Sequence, residues 1–289
     1  MSSRWSPFTS SRRMFSSTIL VAVLALTGGV AAVESAQAAT LPTLSITINP
    51  SSIAVGGTLQ SGAVNVVTSA SGVKEGSPVL FLLKPGVSVA EFDAFLAGGK
   101  PSKDPNTAAK FGTIAFDAEA AVGKANEAQT TLQPGQYVAF NAEGEKSATW
   151  THTSFTVTTA VAPAVLPTPQ ATEKTIDFDF RGPTVLHDGE LVRFENEGYV
   201  VHMDLAFSVK SKKDAQKVVK ALLTGHEKGL EKLAAGPPAS FAGPLSTGAY
   251  QQETITAKPG WYVQVCFMST QEGVPHTRLG MERIIKIVK

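Results

Sequence analysis

Four side chains able to hold a soft metal are concentrated in the last third of this 289-residue chain. Cys266 is the only cysteine. Nine residues separate it from His276, and four more separate His276 from Met281. His202 lies upstream, opening another strand-like run. A thiolate, two imidazoles and a thioether are the donor set of a blue-copper electron-transfer site. The thiolate favours Cu(I), imidazoles suit both oxidation states, and a weak axial thioether leaves a trigonal plane acceptable to each, so the barrier to electron transfer is low. Each residue has a plainer reading alone: a buried apolar cysteine, a half-buried strand histidine at 202, a core methionine at 281. Their joint spacing favours the metal. His152, His187 and His226 have no partners at ligand spacing and read as surface residues.

The elements that must position these donors fall into two similar halves. Thr158 to Thr175 is rich in Ala, Pro and Thr, with Pro163, Pro167 and Pro169, and has no periodicity that could bury a face. It reads as a semi-rigid linker, with domains at 42–157 and 174–289 and the linker proper at 158–173. Pro134-Gly135-Gln136-Tyr137-Val138-Ala139-Phe140-Asn141 in the first half corresponds to Pro259-Gly260-Trp261-Tyr262-Val263-Gln264-Val265-Cys266 in the second, each a Pro-Gly turn feeding an alternating strand. Earlier in each half an apolar strand (Val79 to Leu83; Val201 to Phe207) leads into a short helix that ends on glycine. The helices are Val89 to Ala97 and about Lys213 to Leu223; in the second, Ala215, Val218, Val219 and Leu222 share one face. The remainder reads as short strands between turns, including Ile176 to Phe180 and Leu191 to Phe194. The expected class is all-β: two tandem β-sandwiches, each with a short helical insertion.

The second half resembles the cupredoxin family, which includes plastocyanin and the copper domains of nitrite reductase. The resemblance covers about 174–289 and is carried by Phe194-Glu195-Asn196-Glu197-Gly198, His202, the strand Tyr262-Val263-Gln264-Val265-Cys266, and Pro275-His276-Thr277-Arg278-Leu279-Gly280-Met281. It implies a Greek-key sandwich holding one type 1 copper ion through His202, Cys266, His276 and Met281. It also implies that His276 reaches the surface through an apolar patch of Val274, Pro275 and Leu279. Arg278 and Arg283 lie close in sequence, which fits a partner with an acidic rim, because rim charges mainly set encounter rate. Two departures stand out. The loop between Cys266 and His276 is longer than in plastocyanin, and Gln264 occupies a face that is usually apolar, where a bulge or a hydrogen bond near the metal would explain it. Asn196 is either a brace for the Cys266 loop or a turn former. In the first half Asn141 stands at the cysteine position, so that half reads as a metal-free cupredoxin-like repeat serving as spacer, dimer contact or docking surface.

Residues 1–38 read as an export signal, with Arg4, Arg12 and Arg13, an apolar run from Ile19 to about Ala32, and Ala36-Gln37-Ala38 as cleavage site. Ser11-Arg12-Arg13-Met14-Phe15 resembles a twin-arginine signal. The expected location is periplasmic, cell-surface or secreted. There a lone thiol is oxidisable unless something occupies it, and a metal is the simplest occupant. Without the signal the net charge is about −1, which argues against a nucleic-acid binder. No second apolar run approaches the roughly 20 residues of a membrane span. The expected function is a one-electron carrier, not an enzyme, because the His-x-His pairs of further copper sites are missing. The alternatives are a copper-binding or sequestering protein without a redox partner, which the few methionines disfavour, and a structural sandwich with a vestigial site. The residues name neither the redox partner nor the oligomeric state.

Overall fold

The computed structural model describes residues 40–99, 104–121, 125–144, 146–236 and 238–289. The expected export signal lies outside them. The first half contains β1 (Thr43–Asn49), β2 (Ser52–Gly57), β3 (Gly62–Ala70), β4 (Glu75–Gly76), β5 (Pro78–Leu83), α1 (Val89–Ala97), β6 (Gly112–Asp117), β7 (Ala120–Ala121), β8 (Asn126–Leu132), β9 (Gly135–Asn141) and β10 (His152–Val157). The second half contains β11 (Ala171–Ile176), β12 (Asp179–Arg181), β13 (Val185–His187), β14 (Leu191–Asn196), β15 (His202–Val209), α2 (Lys212–Thr224), β16 (Ala239–Leu245), β17 (Tyr250–Thr254), β18 (Gly260–Val265) and β19 (Glu282–Val288). No helix of the described residues is long and apolar enough to cross a membrane.

Alternation sets the layers. In β1 every second residue, Leu44, Ile46 and Ile48, is buried, which is the period of a half-buried strand. These residues meet Leu80, Phe116, Tyr137 and Ala139 from a facing four-stranded sheet ordered β10-β9-β5-β6. In the second half Val192 and Phe194 of β14 meet Tyr262, Ile285 and Ile287 from a sheet ordered β13-β19-β18-β15-β16. With β13 set aside, that order repeats the first half strand for strand. The other faces match as well: β2-β1-β3-β8 in the first half and β12-β11-β14-β17 in the second. Both pair β1 with β3, and β11 with β14, in parallel.

The two halves share a sheet. β8 and β17 pair antiparallel at Gln129 and Gln252, making one eight-stranded sheet, and Gln252 Nε2 donates to Gln129 Oε1 at 2.9 Å. Thr130 Oγ1 donates to the Tyr250 carbonyl at 2.8 Å. At the second layer of the seam Ser246 and Ile114 exchange two hydrogen bonds, N–H to carbonyl at 3.1 Å and N–H to Oγ at 2.9 Å. The Ala/Pro-rich segment is docked along this sheet: Ala63 N–H donates to the Ala164 carbonyl at 2.9 Å, and Gln252 Nε2 to the Pro167 carbonyl at 3.0 Å.

Each helix covers the outer face of its own smaller sheet. Ser88 and Glu91 form a capping box on α1, and its Phe92 stacks on Phe81 of β5 with centroids 4.4 Å apart. Ser211 caps α2, and Gly225 ends it in the left-handed conformation at φ 69°. Val218 and Leu222 of α2 lie on Val263 and Val265. The inner face of β18 is thereby left to Tyr262, Gln264 and then Cys266.

Candidate metal centre

Three neighbouring strands bring the donors to one end of the second half's inner face. His202 opens β15, Cys266 follows β18, and Met281 precedes β19, in a sheet where β18 lies between the other two. Cys266 and Met281 are cross-strand neighbours, the Cys266 N–H donating to the Met281 carbonyl at 3.3 Å. The pairing of β15 with β16 is irregular between His202 and Leu205, a disturbance common beside functional sites. The long loop after Cys266 folds back on itself. A bridge between Ser269 and Pro275 closes it, and the His276 N–H donates to the Met268 carbonyl at 2.8 Å, so a one-turn helix at His276–Leu279 returns the imidazole to the sulfur.

Cys266 Sγ lies 3.7 Å from His202 Nδ1 and 3.3 Å from His276 Nδ1, and the three donors lie within 4.8 Å of one another. A metal with bonds of roughly 2.0 Å to nitrogen and 2.3 Å to sulfur in a trigonal plane needs an N···S separation of about 3.7 Å. The cluster fits such an ion, and all three residues are buried. Met281 is also buried, in the same apolar cluster as Cys266, Met268 and Phe180. Burial, with a contribution from nearby His202, pulls His276 down to about 4. Burial also lowers His202, against the pull of Asp177. Both imidazoles are therefore neutral near pH 7, as ligands must be. Burial pushes the Cys266 thiol up to about 12, although the Met203 N–H donates to its sulfur at 3.4 Å.

Groups that no spacing rule picks out fix the His202 imidazole and the loop before it. Asp177 and Phe178 form the two-residue loop of the β11–β12 hairpin. Asp177 Oδ1 lies 3.2 Å from His202 Nε2 and accepts the Tyr199 N–H at 2.8 Å, the carboxylate–histidine arrangement that orients a metal-bound ring. Gly198 makes this approach possible, since a Cβ there would sit 2.6 Å from Asp177 Oδ1 and 2.7 Å from His202 Nε2. From the first half, Asn106 Oδ1 accepts the Val201 N–H at 2.7 Å, immediately before His202. Asn196 braces the loop leading to His202 and not the Cys266 loop: its Nδ2 donates to the Val200 and Leu245 carbonyls at 2.8 and 2.7 Å, and its Oδ1 accepts the Gly198 N–H.

Two residues inward along each strand, the donors are backed by polar groups: Asp204 behind His202, Gln264 behind Cys266, Arg283 behind Met281. Gln264 Nε2 donates to Asp204 Oδ2 at 2.6 Å, and Arg283 Nη2 donates to Gln264 Oε1 at 2.7 Å and to Glu173 Oε2 of β11. No bulge is needed to account for Gln264, which is the hinge of this network. Burial pushes Glu173 up to about 7 despite Arg283, and pushes Asp204 well above the carboxylate range, with the Glu173 charge adding to it.

Two expectations about the surface are corrected. His276 is 0% exposed, because Phe178 stands edge-on against it at 5.1 Å and His202 lies 4.9 Å away. Arg283 is turned into the sandwich by the alternation of β19, where the buried Glu173 needs a cation. Arg278 is exposed, with its guanidinium against Gly225 at the C-terminal end of α2, where the helix dipole favours positive charge. His152, His187 and His226 are exposed, as expected.

No protein-family model matches the sequence, and no curated protein does. Among solved structures, the chain is similar to dithionite-reduced auracyanin from the photosynthetic bacterium Roseiflexus castenholzii, with 17% identity over 41% of this chain and 95% of that one and a TM-score of 0.25. It is similar to auracyanin A, a blue copper protein of Chloroflexus aurantiacus, with 18% identity over 40% and 96% and a TM-score of 0.24. It is also similar to the copper-containing nitrite reductase of Thermus scotoductus, with 12% identity over 86% and 68% and a TM-score of 0.24. Likenesses this distant carry no functional weight, and the reading of the centre rests on its own donor atoms.

Proposed function

We propose that the chain is an extracytoplasmic type 1 copper protein that carries one electron at a time and catalyses no reaction of its own. His202, Cys266 and His276 would hold the ion, with Met281 offering a fourth, thioether donor. Copper bound there would supply a single Cu(I)/Cu(II) couple. The observation that carries the reading is the sulfur flanked by two neutral Nδ1 atoms at 3.3 and 3.7 Å in a buried pocket. The backbone holds His202, Cys266 and Met281 on three adjacent strands and His276 on the folded-back loop, Asp177 and Asn106 fix the approach of His202, and the network behind the donors ties the strands together, so little has to move on electron transfer. The proposal includes two tandem cupredoxin-like domains, 42–157 without metal and 174–289 with it, and export through the signal at 1–38.

Burial of His276 favours a second reading, a copper-holding protein with no redox partner. One titration tests both. Cu(II) added to the mature protein should produce an intense visible thiolate-to-copper band that Cys266→Ser abolishes, and a colourless wild type refutes the type 1 centre. Rapid reversible bleaching by a protein reductant separates carrier from store.

A further inference from the structure

Phe178 is the one non-glycine residue with positive φ among the described residues, at 63°. It is the second residue of a two-residue hairpin loop, a place where positive φ is ordinarily met by glycine or asparagine. A bulky side chain there is a genuine outlier, and such strain persists where the surroundings hold it, often at functional sites. The surroundings are explicit: Asp177, the preceding residue, is tied to the Tyr199 N–H and to His202 Nε2, while Phe178 itself is half-buried and packs on the cluster containing Cys266 and Met281.

A second local cost falls at the same spot. His276 Nδ1 faces the sulfur, and its Nε2 is buried with no hydrogen-bond partner. A polar ring atom denied both water and a partner is unfavourable, and the aromatic ring standing edge-on to that imidazole at 5.1 Å is Phe178. Glycine at 178 would relieve the backbone and let water reach Nε2. The chain instead keeps the ring in place. We propose that Phe178 is the seal of the metal centre: it excludes water from the outer edge of His276, so that ions, chelators and small reductants reach the centre only by displacing its ring. This rests on the copper reading for the role of the centre, while the seal itself is a property of the metal-free chain.

The test uses the full chain with Phe178→Gly and Phe178→Asn, both compatible with positive φ. In the copper-free protein, modification by diethyl pyrocarbonate is followed at each histidine by mass spectrometry, with His152, His187 and His226 as exposed references. His276 should react at least about tenfold more slowly than these in the wild type and approach their rate in both variants, with each variant folded at the assay temperature. A wild-type His276 as reactive as the references overturns the seal, and so does a His276 that stays unreactive in both variants. In the copper-loaded protein, removal of the ion by a chelator and reduction by ascorbate should each accelerate about tenfold or more in both variants. If His276 opens while these rates stay unchanged, the seal does not control access to the metal. If the wild type takes up no copper, the function reading fails and the modification rates still decide whether Phe178 closes the imidazole.

Discussion

Copper binding should release one proton per ion at pH 7, and that proton should come from Cys266. Burial holds the thiol at about 12 in the metal-free chain, while both imidazoles are lowered by burial, His276 to about 4. At neutral pH the empty donor set therefore carries a single proton, on sulfur. Raising the thiol from 9.0 to about 12 weakens binding at pH 7 roughly a thousandfold relative to a solvated cysteine, about 4 kcal/mol at 1.36 kcal/mol per factor of ten. Affinity should then climb tenfold per pH unit between pH 7 and 10, and more steeply only below the lowered pKa of His202, where a second proton must leave. Competition with a Cu(I) chelator across pH gives the slope, and calorimetry in buffers of different ionisation enthalpy gives the proton count directly. Two protons at pH 7 would put a charge on an imidazole, and a flat profile would mean an already ionised sulfur. Either result refutes the electrostatic account of the pocket.

The same thiol makes the metal-free fold sensitive to alkali: the folded state keeps a proton that the unfolded state releases above 9, so stability should fall from pH 9 towards 12 by about 4 kcal/mol, and urea titrations of wild type against Cys266→Ser should show that difference growing with pH. Glu173, raised from 4.5 to about 7 by burial, should give its full contribution below about pH 4.5 and lose roughly 3 kcal/mol as pH passes through 7; Glu173→Gln should flatten that limb, and an unaltered pH dependence counts against a buried, proton-holding carboxylate. Asn106→Ala leaves the buried Val201 N–H unpaired, which should cost about 1–3 kcal/mol and speed hydrogen exchange at Val201, an effect that disappears if the contact is not made in solution. Because the halves share a sheet through Gln129 and Gln252, calorimetry should show one unfolding transition for residues 41–289, and two well-separated transitions would contradict that coupling.

The regular elements were legible because periodicity fixed them. Val89–Ala97 forms α1 over the span its pattern indicates, and the face of Ala215, Val218, Val219 and Leu222 lies under α2 on β18. Ile176 to Phe180 was not legible: apolar residues at 176, 178 and 180 mimic one strand, yet the chain reverses at Asp177–Phe178 because Asp177 is held by Tyr199 and His202, contacts between residues more than 20 positions apart. His202, Cys266 and His276 could be paired from residue type and spacing. The exposure of His276 could not, since it depends on where that hairpin falls. Arg283 lies next to the loop in sequence, but the strand's period of two and a carboxylate on the facing sheet decide its direction. The buried polar network also has no local signal, because Glu173, Asp204, Gln264 and Arg283 come from four strands.

The repeated strand order makes the first half informative about the second. Where Cys266 leaves β18 as a donor, Asn141 ends β9 and accepts the Ser77 N–H at 2.9 Å, so the same position serves a backbone contact. The halves meet through equivalent strands, β8 with β17 in one layer and β6 beside β16 in the other, as expected for a pseudo-two-fold seam between copies of one topology. That seam brings Asn106, on the segment before β6, to Val201 on the approach to β15. The first half thereby supports the loop that delivers His202, and a chain cut within the Ala/Pro-rich segment would have to find another acceptor for that N–H. The candidate centre is therefore built on strands of one half and oriented in part by the other, a structural role for the first half besides those of spacer, dimer contact or docking surface.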